Sequence, residues 1–227
     1  NVKDGKLRKE DILDVLSKYT NEHVVKPKLV YISNSTEIGT IYTKSELEGL
    51  SQVCREHNLI LFMDGARLGS ALTCKQNDLT FEDISKLTDA FYIGGTKNGA
   101  LLGEALVICN KYLQEDFRYN LKQKGAMLAK GRLLGIQFAE LFKDNLYLEI
   151  GKHENDMADI LRNGIESLGY EFLVNSPSNQ IFPILKNELI DELEKSYGFN
   201  IWEKIDEERT AIRLVTSFAT KEENCLE

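Results

Sequence analysis

Short apolar runs alternate with amphipathic stretches along the first two thirds of the chain. Leu29-Val30-Tyr31-Ile32 follows a break at Pro27 and reads as a short buried strand. Residues 59–63 form a second apolar run that stops abruptly at Asp64-Gly65. Phe91-Tyr92-Ile93 is a third, ending at Gly94-Gly95-Thr96-Lys97-Asn98-Gly99, and residues 105–109 are a fourth. Residues 8–19 carry Ile12, Leu13, Val15 and Leu16 in a helical rhythm. Thr43 and Glu46 form a capping box for a helix running through Leu47, Leu50 and Val53 to about His57. A weaker helix is predicted over residues 81–87. Strand and helix in alternation predict an α/β fold, a mostly parallel sheet flanked by helices.

The pattern then changes. Residues 110–146 read as helix in about two pieces, and residues 153–168 as a further helix. Strands over 170–174 and 181–185, a helix over 188–197 and a strand over 213–218 complete a smaller α+β module. The expected boundary is near residue 150, with 1–150 part of a large domain and 151–227 a small one.

Composition narrows the function classes. Acids outnumber bases 36 to 28, a formal net charge of −8, which argues against a nucleic-acid partner. The longest apolar run, residues 101–109, is broken by Gly103 and Glu104 and is too short to span a membrane. Cys54, Cys74, Cys109 and Cys225 form no C-x-x-C pair and have no clustered histidines. They read as reduced thiols of a cytoplasmic protein, with no metal site. His23, His57 and His153 lie in polar stretches and read as solvated surface residues.

Three charged residues stand where packing alone does not explain them. Asp64 and Lys97 each follow a strand, and ligands of open α/β sheets bind at the carboxyl ends of strands. Arg213 lies within Ile212-Arg213-Leu214-Val215. Taken singly, an N-cap, a loop lysine and an edge-strand arginine would account for them. Together, an acid and a lysine at two successive strand ends are what pyridoxal 5'-phosphate needs: an amine for its aldehyde and a carboxylate for its ring nitrogen. Gly94, Gly95 and Gly99 would allow tight turns and close approach to a ligand, and the Thr96 hydroxyl either binds phosphate or closes a local turn. Neither a Walker loop nor a dinucleotide fingerprint is present.

Phe62-Met63-Asp64-Gly65-Ala66-Arg67-Leu68 resembles a stretch of the threonine aldolase family. So does Tyr92-Ile93-Gly94-Gly95-Thr96-Lys97-Asn98-Gly99-Ala100 with the following Gly103-Glu104-Ala105-Leu106-Val107-Ile108, and so does Ile212-Arg213-Leu214-Val215-Thr216-Ser217. The three matches come in that family's order. The resemblance implies the fold-type-I pyridoxal phosphate fold and cleavage of the Cα–Cβ bond of threonine or allo-threonine to glycine and acetaldehyde. By the same resemblance, Lys97 would carry the cofactor, Asp64 would pair with its ring nitrogen, and Gly95 and Thr96 would lie against it. Arg67 and Arg213 would hold the substrate carboxylate, with Asn34 and Thr36 near the substrate. Lys130 or Arg132 is a weaker candidate for the phosphate, beside the simpler reading of a solvated helix face. A homodimer or homotetramer is expected. The family's histidine near the substrate hydroxyl is absent, and Thr36 or Glu37 takes its place. The family's phosphate loop and ring-stacking histidine are also absent, so the chain reads as a partial member. The alternatives are another fold-type-I reaction, such as β-elimination or transamination, and an inactive remnant or binding partner.

Overall fold

The structure is a computed structural model and describes residues 3–19 and 21–227. The first part of the chain forms α1 (Lys9–Lys18), β1 (Leu29–Ser33), α2 (Lys44–Glu56), β2 (Ile60–Asp64), α3 (Leu68–Thr73), α4 (Phe81–Leu87), β3 (Ala90–Ile93) and β4 (Ala105–Ile108). The capping box of α2 is formed: the Thr43 hydroxyl accepts the Glu46 amide at 3.3 Å, and the Thr43 amide donates to the Glu46 carboxylate at 2.8 Å. Among the described residues the four strands make one sheet in the order β1-β2-β3-β4. The pairs β1–β2 and β2–β3 are parallel, as expected, while β4 runs antiparallel to β3. Residues 94–104 return the chain without a crossover helix, and only an antiparallel neighbour can follow such a connection.

Alternation along the strands divides the sheet into two faces. Val30, Ile32, Leu61, Met63, Phe91 and Ile93 pack on Leu47, Leu50 and Val53 of α2 and on Leu68 and Ala71 of α3. The opposite face carries a ladder of rings. Tyr31 and Phe62 stack at 5.6 Å, and Phe62 and Tyr92 lie at 6.0 Å. Leu29 and Tyr31 at its edge are 55% and 54% exposed.

The helical stretch after β4 is more broken than its sequence suggests. It forms α5 (Lys111–Gln114), α6 (Phe117–Gln123), α7 (Arg132–Leu141) and a 3-10 turn, Lys143–Asn145. Left-handed residues interrupt it: Asp116 (φ 54), Gly125 (φ 72), Asp144 (φ 52) and Asn145 (φ 63). The next helix, α8 (Leu146–Ser167), starts earlier than residue 153, because Tyr147 and Gly151 continue its buried stripe. Residue 150 therefore lies inside α8.

The remainder forms β5 (Gln180–Ile181), β6 (Ile184–Lys186), α9 (Asn187–Leu193), β7 (Asn200–Lys204), β8 (Arg209–Val215) and α10 (Glu222–Leu226). Strand β8 is antiparallel to β5 and β6 along one edge and to β7 along the other. The strand expected over 181–185 is split at Phe182-Pro183, since Pro183 has no amide to give to a ladder. Residues 170–174 are not a strand; Phe172 makes one isolated bridge to Pro183. The last strand starts at Arg209 rather than residue 213. Strand β7 escaped the sequence reading because its polar, mostly exposed residues carry little apolar signal.

Candidate active site

The register Ser33↔Asp64 sets the loops after β1 and β2 side by side, and β3 lies on the other flank of β2. Asp64 thus ends the central strand. The Ala66 amide donates to Asp64 Oδ1 at 2.9 Å, and the Tyr31 hydroxyl donates to Oδ2. Burial alone would raise the Asp64 carboxyl. The hydroxyls of Tyr31 and Tyr92, the Ala66 amide and the charge of Lys97 together outweigh it and hold the group below its ordinary value. Asp64 is therefore a carboxylate kept ionised. A cleft of ≈ 210 Å³ opens beside it, lined by Tyr31, Ser33, Thr36 and Glu37 among others.

Lys97 follows β3 in a loop fixed at several points. The Gly94 amide donates to the Gly65 carbonyl at 2.9 Å. A Cβ at Gly65 would lie 2.0 Å from the Tyr92 carbonyl oxygen, and one at Gly94 2.3 Å from that of Ala66. These glycines admit neighbouring backbone, which is the close approach they serve here. Asn98 is buried and donates to the Tyr147 carbonyl at 2.9 Å, while the Tyr147 hydroxyl donates to the Gly94 carbonyl at 3.0 Å. Lys97 stands exposed beside this anchor. Partial desolvation of its amine, then repulsion from Arg67, pull its pKa below the ordinary lysine value, against the opposing charges of Asp64, Glu37 and Glu104. Such a lysine is a better nucleophile toward a carbonyl.

Gly95 and Thr96 both bond to Glu104: the Gly95 amide donates at 2.6 Å and the Thr96 hydroxyl at 3.3 Å. The Thr96 hydroxyl thus closes a local turn. Asn34 is fully buried; its Oδ1 accepts from the Tyr42 amide at 3.3 Å, and its Nδ2, like Ser35 Oγ, has no partner. Thr36 is buried too, with its hydroxyl 2.7 Å from that of Thr40. Lys130 and Arg132 are exposed, and the charges felt by Asp64 and Lys97 come from other residues.

Arg67 caps the start of α3 and Arg213 lies in β8. Burial lowers the Arg67 pKa, and the positive charge of Arg213 lowers it further. Two half-buried guanidiniums that repel each other make a receptor for an anion. Arg213 is held by Gln180, whose Oε1 accepts its Nε at 3.0 Å and also its Nη2. The Trp202 ring lies 5.4 Å from the same guanidinium.

A buried polar lattice backs this pair. Asn155 of α8 donates to the Ser70 carbonyl at 2.9 Å, and Ser70 Oγ accepts the Asn179 amide at 3.0 Å. Asn179 Nδ2 donates to the Thr216 carbonyl at 2.7 Å, and the Thr216 hydroxyl to the Glu154 carbonyl at 2.6 Å. Glu154 is 2% exposed. Burial pushes its carboxyl up to about 8, although the charge of Arg67 pulls the other way. His153, read as solvated, instead sits 2.8 Å from the Thr220 carbonyl through Nε2.

The structure thus brings Asp64, Lys97 and Arg67 within each other's field, with Arg213 beside Arg67. The model of the beta-eliminating lyase family matches residues 1–187. The chain belongs to the beta-eliminating lyase family. Its residues are 34% identical over 193 positions to a low specificity L-threonine aldolase of Pseudomonas sp. (strain NCIMB 10558), covering 83% of this chain and 55% of that relative. The corresponding protein of Pseudomonas aeruginosa is 33% identical over 207 positions, 89% of this chain and 59% of that relative. The chain therefore spans little more than half the length of these curated relatives. The solved threonine aldolase of Leishmania major superposes with a TM-score of 0.96 at 53% identity, over 99% of this chain and 66% of that one. The fold is that of fold-type-I enzymes, as the resemblance implied.

Sequence reasoning for this family member missed Tyr31, Tyr92, Asn98, Tyr147, Glu154 and Gln180. Tyr31 and Tyr92 carried a usable signal, since strand alternation sets both on the same sheet face as Asp64. Gln180, directly before an apolar strand, carried a weaker one.

Proposed function

We propose that this chain is the part of a pyridoxal-phosphate-dependent aldolase that holds the reactive end of the cofactor and the substrate carboxylate. The substrate class is a β-hydroxy-α-amino acid, threonine or allo-threonine, cleaved between Cα and Cβ to glycine and acetaldehyde. The observation that carries this reading is the pairing of an ionised Asp64 and an amine-depressed Lys97 at adjacent strand ends, beside two arginines. The residues fit the cofactor. Asp64 offers a carboxylate for a ring nitrogen, Lys97 an amine for an aldehyde, and Asn34 Nδ2 and Ser35 Oγ are buried polar atoms still without partners. When bound, pyridoxal 5'-phosphate supplies an electron-accepting ring that stabilises the carbanion left when a bond at the substrate Cα breaks.

The chain's own residues do the rest. Asp64 keeps its negative charge through its hydroxyl and amide donors, so it would hold the ring nitrogen and favour its protonated form. Lys97 would hold the aldehyde carbon, and partial desolvation with repulsion from Arg67 lowers the proton affinity of its amine, which suits it to passing a proton at the substrate Cα. Arg67 and Arg213 bind and orient the α-carboxylate, which selects the Cα bond to be broken. The buried Thr36 hydroxyl faces Thr40, whereas Glu37 is exposed on the cleft, and its charge reaches both Lys97 and Arg67.

The expected assembly is a homodimer or homotetramer; exposed Leu101, Tyr112, Tyr119, Leu133 and Ile136 after β3 and β4 supply apolar surface for it. A cytoplasmic setting fits four cysteines that are all free thiols. A two-domain arrangement, with the smaller antiparallel sheet forming the second domain, belongs to the same reading.

Borohydride reduction of the cofactor-loaded, full-length protein, followed by peptide mapping, should label Lys97 selectively. Lys97→Ala should lose that label and reduce turnover by at least about a thousandfold. Scattered labelling, or near-normal turnover of the variant, would refute the assignment. Product analysis separates the reactions: glycine and an aldehyde for cleavage, a keto acid and ammonia for β-elimination.

A further inference from the structure

We infer that Gln180 is a positioning residue for the carboxylate-binding guanidinium of Arg213, one that anchors the arginine without discharging it. The inference rests on the role given to Arg213 above. Gln180 is fully buried at the start of β5, opposite Val215 of β8. Its Oε1 accepts both Nε, at 3.0 Å, and Nη2 of Arg213. Its Nε2 donates to the Thr36 carbonyl at 3.3 Å. The two ends of the amide are therefore fixed by chemistry. A guanidinium has only donors, so the amide oxygen must face it, and a carbonyl has only lone pairs, so the amide nitrogen must face Thr36.

The donor inventory gives the arrangement its meaning. A guanidinium carries five N–H groups, and Gln180 takes the Nε–H and one on Nη2. The edge between Nη1 and Nη2 keeps its donors, the fork that binds a carboxylate in two parallel bonds. The Trp202 ring covers the guanidinium at 5.4 Å. A carboxylate at position 180 would hold the arginine as firmly but would cancel its charge and compete with the ligand. The neutral amide avoids this, and Arg67 and Arg213 keep the mutual repulsion that an incoming anion relieves. Through Thr36 the same amide ties the clamp to the loop after β1.

Trp202 lies against Arg213, so its fluorescence reports on that guanidinium. The test titrates glycine into the full-length, cofactor-loaded protein and reads that fluorescence, with Trp202→Phe used to assign the signal. Glycinamide, which has the same amine but no carboxylate, is the comparison ligand. Gln180→Glu should weaken glycine binding by about tenfold or more relative to glycinamide, and Gln180→Ala by a smaller factor of about five. KM for the β-hydroxy amino acid should rise in the same order, with kcat falling by a smaller factor than KM rises. Unchanged glycine affinity in both variants of an active protein would overturn this inference alone. So would equal loss of glycine and glycinamide, the mark of a merely structural residue. A protein that labels no Lys97 and cleaves no β-hydroxy amino acid would overturn the proposed function, and this inference with it.

Discussion

Glu154 is a carboxyl group with almost no water. Its Oε2 accepts from the Asn179 amide at a long 3.4 Å, and the Phe218 backbone amide also faces the carboxyl, too little to replace the lost water. Charging it inside the fold is costly, which is why burial raises it to about 8 from the ordinary 4.5. The folded state therefore keeps a proton that the unfolded chain gives up. The stability this proton supports is complete below about pH 4.5 and is lost as pH climbs toward 8. Urea unfolding should show stability falling across that window, by at most about 1.4 kcal/mol per pH unit from this group. Glu154→Gln should flatten the profile and be the more stable protein at pH 8.5. A wild-type profile just as flat would remove Glu154 as its cause.

Crossing backbones, more than side chains, place Lys97 next to Asp64. Gly94→Ala would drive a methyl to 2.3 Å from the Ala66 carbonyl oxygen, which cannot yield without moving α3 and Arg67. The expected cost is about 1–3 kcal/mol, with loss of selective labelling at Lys97. Gly164→Ala is the opposite case. It lies in α8 with nothing within 4 Å of a new Cβ, so helix propensity should raise stability by about 0.5–1 kcal/mol. Thermal unfolding of the two variants checks both signs.

The same contrast explains what was legible in the sequence. The strands ending at Asp64 and before Gly94, and the Thr43–Glu46 cap, were readable because apolar runs and capping boxes are local signals. The bonds from Arg213 to Gln180, and those from Asn155 and Asn179 to Ser70, join residues far apart in sequence. Periodicity carries no information about such pairings. Lys97 and Asp64 stood out as chemistry; Tyr31 and Tyr92, which donate to Asp64, showed only through strand alternation, and the Asn98–Tyr147 anchor of the Lys97 loop carried no sequence signal.

At the scale of the whole molecule, the two sheets are linked by hydrogen bonds through α3 and α8. Ser70, Asn155, Asn179 and Thr216 connect α3, α8 and the end of β8, so the arginine on α3 and the arginine on β8 share one frame. The outer surface of the larger sheet is another matter. Leu29 and Tyr31 stand on β1, which ends the strand order, and Leu106 stands 45% exposed on β4 at the other end. Open strand margins with greasy side chains invite further strands to add. Among the described residues both margins are open, so the 227-residue polypeptide is expected to behave in the test tube as a colloid with two adhesive borders. Its light scattering should climb with concentration while each molecule stays folded, and replacing Leu29 and Leu106 by lysine should suppress the climb without lowering the melting temperature. Turbidity in a preparation of this polypeptide would then be a property of two sheet margins and no sign of a misfolded interior.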